Sequence, residues 1–449
     1  MKKFLALLLT VCMVFALCAC GAKTEAPAQA PAQAPAEAPA EAPAEAPKEK
    51  VTIEYWFNVG GALETAIMEQ IADFNASQDE VEVVGVFQGY FNDCVAKTQA
   101  AILAGTPPVL TSMERAVTPQ FYYAGQTVDL TPYIERDGFD VEQFGGFLNF
   151  SRYGDEIVAL PVMRSVPVLY YNKEAFVEAG LDPENPPTNW EEMLETIDAL
   201  TIKENGEVVR YGFEFPSSDI TSLQAYVAQT GATMLNEDKT GIGFDNEQGR
   251  MVYDYFYALK AKDGLKVPPA ADSATVCKQD FYNESVAMII ESNAAMAAIL
   301  AETEGYFEVG AAFLPAYQDN YAYATGGSNI VMLQGCGEEQ QEAAWKFMKY
   351  LYEAESGGKF VVNTGYVPLT ETIYNSPAVQ EVIAAKPQYA VPFEASKYIV
   401  DPFPCEVWAE CQQIMVNYTS GLLIEDAYTT EEAVSGIAAE VAAVLAENS

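Results

Sequence analysis

The chain contains no histidine. That removes the base of Ser-His-Asp and Cys-His nucleophile systems and the usual nitrogen ligand of zinc enzymes. Carboxylates are plentiful, 64 Asp and Glu against 24 Lys and Arg, so a pair acting on a glycosidic bond stays open, although no spacing marks any two. Ser356-Gly-Gly-Lys359 and Lys239-Thr-Gly241 match two short motifs of serine acyl-transfer sites. They stand in reverse order, and Ser218-Asp219 is followed by Ile220 rather than Asn, so the set does not assemble. Asn236, Asp238, Thr240, Gly241 and Glu247 loosely follow a calcium-loop spacing. Gly243 sits where that loop wants an apolar residue, and the same stretch reads as a turn entering a strand at 242–244. No Walker loop or GxGxxG run is present. Cys94, Cys277, Cys336, Cys405 and Cys411 are scattered and odd in number, which is not a disulfide scaffold. Cys405 and Cys411 either pair or remain free thiols.

The aromatic residues suggest binding rather than catalysis. There are 26 Tyr, 23 Phe and 4 Trp, and most must be core. A sugar site draws on the same types. The C–H faces of a pyranose pack on rings, while its hydroxyls need carboxylate, amide, guanidinium and backbone partners.

Position along the chain decides where such a site works. Met1-Lys-Lys3, an apolar run from Phe4 to Leu17, and Leu17-Cys-Ala-Cys20 form a secretory leader too short for a permanent membrane helix. The ending resembles the lipobox of bacterial lipoproteins, which implies that Cys20 becomes the first mature residue and carries lipid. Residues 1–19 are then a signal peptide. Residues 20–50 are a tether, with proline at every fourth position from Pro27 to Pro47. Such a segment has nothing to bury and favours extended polyproline conformations, spanning at most about 90 Å. The formal charge is −40, and loss of Lys2 and Lys3 with the leader makes it more negative. Nucleic acid and anionic lipid surfaces would be repelled, so contact with the membrane is expected through the anchor alone.

The body from Val51, about 400 residues, is long enough for two domains. Its pattern predicts strands over 51–57, 80–87, 109–113 and 166–171. Helices are expected over 63–74, 92–103, 190–200, 248–261, 340–352 and from 430 onward. The opening β-α-β-α-β order predicts an α/β protein with a mostly parallel sheet covered on both faces.

Several segments in this order resemble the carbohydrate-binding group of extracellular solute-binding proteins of bacterial ABC importers. They are Ala104-Gly-Thr-Pro-Pro-Val-Leu110; Val168-Leu-Tyr-Tyr-Asn-Lys-Glu-Ala-Phe176; Ala179-Gly-Leu-Asp-Pro183 with Pro186-Pro187 and Thr188-Asn-Trp-Glu-Glu192; Phe281 to Met288; Gly326-Gly-Ser328; Ala344 to Leu351; and Asn363-Thr-Gly-Tyr-Val-Pro-Leu369. The resemblance covers essentially Val51 to the end, and its pattern is nearest to glycerol-3-phosphate- and maltose-binding proteins. It implies a two-lobed periplasmic-binding-protein-like fold with several inter-lobe crossings and a central cleft. Lobe one would be 51–161 with 315–350, and lobe two 166–313 with 355–449.

The resemblance also implies where solute touches. Trp56, Asn58, Glu114, Arg115 and Ser165 fall on ligand-contacting positions, as do Ser292 and Asn293, Gly326 and Gly327, Tyr366, Tyr398 and the aromatic Trp408. Tyr398 stands where phosphate-binding relatives carry an arginine, which turns the expectation towards a neutral sugar or oligosaccharide and leaves glycerol phosphate as the alternative. The expected partners are a small carbohydrate and permease subunits, with the receptor a monomer that needs no cofactor and catalyses nothing. A surface carbohydrate-active enzyme or adhesin is the competing class.

Overall fold

The first strand, β1 (Val51–Phe57), buries Ile53, Tyr55 and Phe57 on one face and leaves Thr52 and Glu54 exposed on the other. A helix, α1 (Ala62–Ser77), returns along it with Ile67, Ile71 and Phe74 buried. β2 (Val81–Phe87) pairs in parallel with β1 over its full length. α2 (Phe91–Ala104) ends on Gly105, which takes the left-handed conformation a side chain would resist, and β3 (Leu110–Glu114) follows. The expected β-α-β-α-β opening is therefore present.

The computed structural model describes residues 49–448 apart from 270, 272 and 401–404. The leader, Cys20 and nearly all of the proline tether lie outside the described residues.

Two mixed sheets hold the core. In the first, the order is β2, β1, β3, β10 (Gly326–Met332), β4 (Ala159–Ser165). β10 runs antiparallel to both neighbours, so the sheet is less parallel than its opening predicts. The second has the order β7 (Leu265–Lys266), β6 (Glu207–Glu214), β8 (Val286–Ser292), β5 (Pro167–Asn172), β9 (Val309–Ala312). Its β5 is antiparallel to β8 and β9, while β7, β6 and β8 are parallel.

Helices clothe both sheets. The second carries α3 (Trp190–Leu200) and α6 (Ser273–Tyr282), while α4 (Ile220–Gln229) and α5 (Glu247–Lys260) pack through Tyr226 and Phe256 on Phe215, just beyond β6. α7 (Glu338–Tyr350) packs on β1, and α8 (Ala354–Thr364) packs on α1. The chain ends in α9 (Trp408–Glu425) and α10 (Thr430–Glu447), which pack on each other and on α5. Residues 236–241 form a turn closed by side chains: Thr240 N and Gly241 N donate to Asn236 Oδ1 at 2.9 and 3.1 Å. This is the turn between two short strands, 233–235 and 242–243. Among the described residues, no helix is long and apolar enough to cross a membrane.

The backbone moves from the first sheet to the second at Val166 and back between Ala312 and Gly326. Asn293 ties the first of these passages to another segment. Its Oδ1 accepts from Val166 N at 2.7 Å and its Nδ2 donates to Gly365 O at 2.5 Å. Its own N–H donates to Val166 O at 3.0 Å.

Candidate functional site

The parallel strands β1, β3 and β4 end at one edge of the first sheet, where antiparallel β10 begins. Ser328 pairs with Glu114, and Gly326 with Ser165. Loops at such carboxyl ends carry the ligand sites of open α/β sheets. Asn58, just beyond β1, is fully buried and donates from Nδ2 to Ser328 Oγ at 3.1 Å. Six expected positions, Asn58, Glu114, Arg115, Ser165, Gly326 and Gly327, therefore meet at this edge.

Glu114 and Arg115 sit where β3 turns. The Glu114 carboxylate accepts from Ala116 N at 2.7 Å and so caps the short turn Arg115–Val117. That cap aims Arg115 away from the sheet and into the interior, where it is 1% exposed. Its guanidinium lies 4.4 Å from the centre of the Phe150 ring. Nε donates to Thr325 O, and Nη2 donates to Gln224 Oε1 at 3.3 Å. Gln224 belongs to α4, on the second sheet. One buried cation thus reaches from the edge of the first sheet to a helix of the second.

Three buried N–H donors, two on this contact and one on the helix α9, find no acceptor among the described residues: Arg115 Nη1, Gln224 Nε2 and Trp408 Nε1. They come from three elements that pack together, since α9 touches both the Arg115 turn and α4. Orphaned buried donors cost free energy unless something supplies an acceptor. Oxygen-rich molecules do so: hydroxyls, carboxylates and phosphates all accept.

The glycines differ in their demands. A Cβ at Gly326 would meet Ser165 Oγ at 2.9 Å and Thr221 Cγ2, on α4, at 3.8 Å. Gly327 has φ +96°, and a Cβ there would lie 1.8 Å from Met163 O, at an irregularity in the β10–β4 ladder. Gly327 is therefore required by the sheet itself.

The remaining expected positions lie elsewhere or are otherwise engaged. Trp56 is half-buried, and its Nε1 donates to Glu54 Oε2 at 2.9 Å on the same face of β1. Ser292 caps the turn after β8 by accepting from Ala294 N at 3.2 Å. Asn293 spends both amide groups on Val166 and Gly365, so its side chain acts on the backbone. Tyr366 is buried against Phe360 and lines a cavity of about 40 Å³ with Tyr55, Gln70, Met163 and Tyr352. Burial pushes its phenol well up from the ordinary value. Tyr398 is 43% exposed and clusters with Phe313 and Tyr321. Trp408, expected as an open aromatic platform, is fully buried in the first turn of α9. It offers no ring face to solvent, and only its unpartnered Nε1 points to a polar role.

Sequence reading missed Gln224 and Thr325. Gln224 sits on a helix with nearly every side buried, Ser222 to Val227 and Gln229, so no amphipathic stripe betrays it. The only signal is Asp219, which caps that helix by accepting from Thr221 N at 2.9 Å. Thr325 acts through its carbonyl, which no side-chain pattern reveals.

Comparison with known proteins fixes the family. The model of the bacterial extracellular solute-binding protein family matches residues 69–389. The chain belongs to that family. The sn-glycerol-3-phosphate-binding periplasmic protein UgpB of Escherichia coli K12 is 25% identical over 340 residues, covering 72% of this chain and 75% of the relative. Among solved structures, the cyclic alpha-maltosyl-1,6-maltose binding protein from Arthrobacter globiformis superposes with TM-score 0.76 at 21% identity, over 89% of this chain and 100% of that one. UgpB from Mycobacterium tuberculosis, solved with glycerophosphocholine, gives 0.76 at 18% identity, over 89% and 99%. The sugar-binding protein MalE from Xanthomonas citri gives 0.77 at 18% identity, over 89% and 98%. The fold is the two-lobed α/β architecture of periplasmic binding proteins, as the resemblance implied.

Proposed function

We propose that this chain is the receptor of an ABC importer, binding a sugar or oligosaccharide between two lobes and presenting it to membrane permease subunits. The lobes are 51–161 with 315–350 and 166–313 with 355–449. The receptor works as a monomer without catalysis and is held at the outer face of the cell membrane by lipid on Cys20. The observation that carries the reading is the buried Arg115–Gln224 contact, in which Arg115 Nη1 and Gln224 Nε2 have no acceptor among the described residues. A solute rich in acceptor oxygens satisfies donors from both lobes at once. Its binding then favours the arrangement in which the lobes meet, to the extent that it binds that arrangement more tightly.

A second reading, a glycerol phosphate or glycerophosphodiester as solute, is supported by the similarity to the Escherichia coli glycerol-3-phosphate-binding protein and by the buried cation itself. Arg115 would then meet a phosphate oxygen rather than a hydroxyl. A thermal-shift screen of mono- and oligosaccharides, glycerol 3-phosphate and glycerophosphodiesters separates the two, because a ligand of the folded state raises its melting temperature. For the solute that scores, calorimetry on Arg115→Lys and Gln224→Ala should show affinity falling about 10- to 100-fold, as expected when a charged or buried hydrogen bond is lost. Undiminished affinity in both variants would place the solute elsewhere.

A further inference from the structure

The strand β4 is irregular just before the chain passes to the second sheet at Val166. In its ladder with β10, Gly327 pairs with Arg164 and Ser328 pairs with Val162. Met163 is therefore an extra residue, a β-bulge. Its φ is +47°, in the left-handed region that a side chain resists. Among the described residues, the other non-glycine residues with positive φ all lie outside the strands. The residues around the bulge are tied down. Pro161 O accepts from Tyr352 Oη at 2.9 Å, Arg164 O accepts from Val367 N at 3.0 Å, and Val166 N donates to Asn293 Oδ1 at 2.7 Å. The Met163 side chain is 4% exposed and borders the cavity of about 40 Å³ that Tyr55 of β1, Gln70 of α1, Val361 of α8 and Tyr366 also line. A strained backbone thus stands beside open space at the point where the chain changes sheets.

We propose that Met163 is a strained pivot between the lobes. Its left-handed φ belongs to the arrangement in which Arg115 meets Gln224, and it relaxes to an ordinary strand value when the lobes separate. This rests on the reading of two lobes that close on a solute. Because the neighbours on both sides are held by hydrogen bonds, rotation concentrates at the one residue that the ladder skips. The cavity gives its side chain room to follow the backbone. The strain is a cost carried by the closed arrangement alone, so it holds the closed population down and leaves a solute to supply the difference.

Small-angle X-ray scattering of the full-length protein without added solute tests the pivot. Gln224→Ala, which removes the contact to Arg115, should increase the radius of gyration. Adding Met163→Gly to it frees φ and should favour the closed arrangement about 5- to 30-fold, returning the radius of gyration towards that of the parent. Adding Met163→Ala instead keeps a Cβ, and with it the left-handed penalty, so the expansion should persist. Met163→Asn, a residue that tolerates the left-handed region, should restore the parent's dimensions in part and serves where glycine loosens the strand. Circular dichroism checks that each variant is folded. A folded double variant with glycine or asparagine that stays as expanded as Gln224→Ala alone, or equal recovery with alanine, would overturn the pivot. A Gln224→Ala protein with the parent's radius of gyration would show instead that the lobes do not part, and would overturn the two-lobed reading together with the pivot.

Discussion

Trp408, which the resemblance puts at a ligand-contacting position, is a core residue in the fold. Its ring is fully enclosed, so truncation removes core before it removes any solute contact. Trp408→Ala should cost about 3–5 kcal/mol of stability, the range for deleting a large buried aromatic. Trp408→Phe keeps most of that packing and removes only the Nε1 donor. Urea unfolding of both variants checks this; equal stability of Trp408→Ala and parent would show the side chain to be dispensable to the core. Glu214 is the other buried group with a measurable signature. It is fully buried, with Lys266 Nζ 3.7 Å from Oε1 and with Asp280 also acting on it. Burial pushes its carboxyl up to about 7, against the attraction of Lys266 and with help from Asp280. A carboxyl raised in the folded state stabilises the fold most when protonated. Its contribution is full below the unfolded value, near pH 4.5, and is lost as pH rises through about 7. The parent should lose about 1–3 kcal/mol between pH 5 and pH 8 from this group, and Glu214→Gln should not. Denaturation midpoints of parent and variant at the two pH values test it; parallel pH dependence would rule it out.

At the scale of elements, the legible parts are those whose ends are marked by local chemistry. The helix expected over 190–200 is found over those residues because Asn189 accepts from Glu192 N at 2.9 Å and Glu192 returns a bond to Thr188 N at 2.8 Å. The opening strands and helices alternate apolar faces clearly and fall within a few residues of expectation. α4 and β10 were not legible as elements. α4 is buried almost all round, and β10 earns its place only by pairing antiparallel with two distant strands. Much of the edge of the candidate site could be found from segment resemblance, yet Gln224 could not, because its importance depends on Arg115, 109 residues away. Asn293, which the resemblance puts at a ligand-contacting position, has its side chain engaged with the backbone. Its amide closes hydrogen bonds to two backbone segments, and Asn293→Ala would leave Val166 N and Gly365 O buried without partners. The loss should be about 2–4 kcal/mol, from two unsatisfied backbone groups. Asn293→Asp keeps the acceptor for Val166 N and sets a carboxylate against the Gly365 carbonyl, so it should not rescue. Chemical denaturation distinguishes this from a ligand-contact role, which would alter affinity and leave the unsaturated protein as stable as the parent.

Two features matter for the whole molecule: a strongly acidic body with a buried cation inside it, and an N-terminal sequence that reads as a secretory leader. An acidic surface repels nucleic acid and anionic lipid, so attachment to a membrane has to come from something other than surface charge. The Leu17-Cys-Ala-Cys20 motif supplies that something on the lipoprotein reading, and the proline-punctuated segment after it would keep the body within about 90 Å of the bilayer. A single acyl chain holds a protein to a membrane only marginally, whereas several hold it stably, so the anchor should behave as all-or-none in fractionation. In cells expressing the parent, the protein should sediment with membranes at the mass of a chain beginning at Cys20. Cys20→Ala should appear either in the medium or as a precursor that still carries residues 1–19. Mass spectrometry of the membrane and soluble fractions decides between these states. A Cys20→Ala protein that has lost its leader and still sediments with membranes would show that lipid on Cys20 is not what holds this receptor in place.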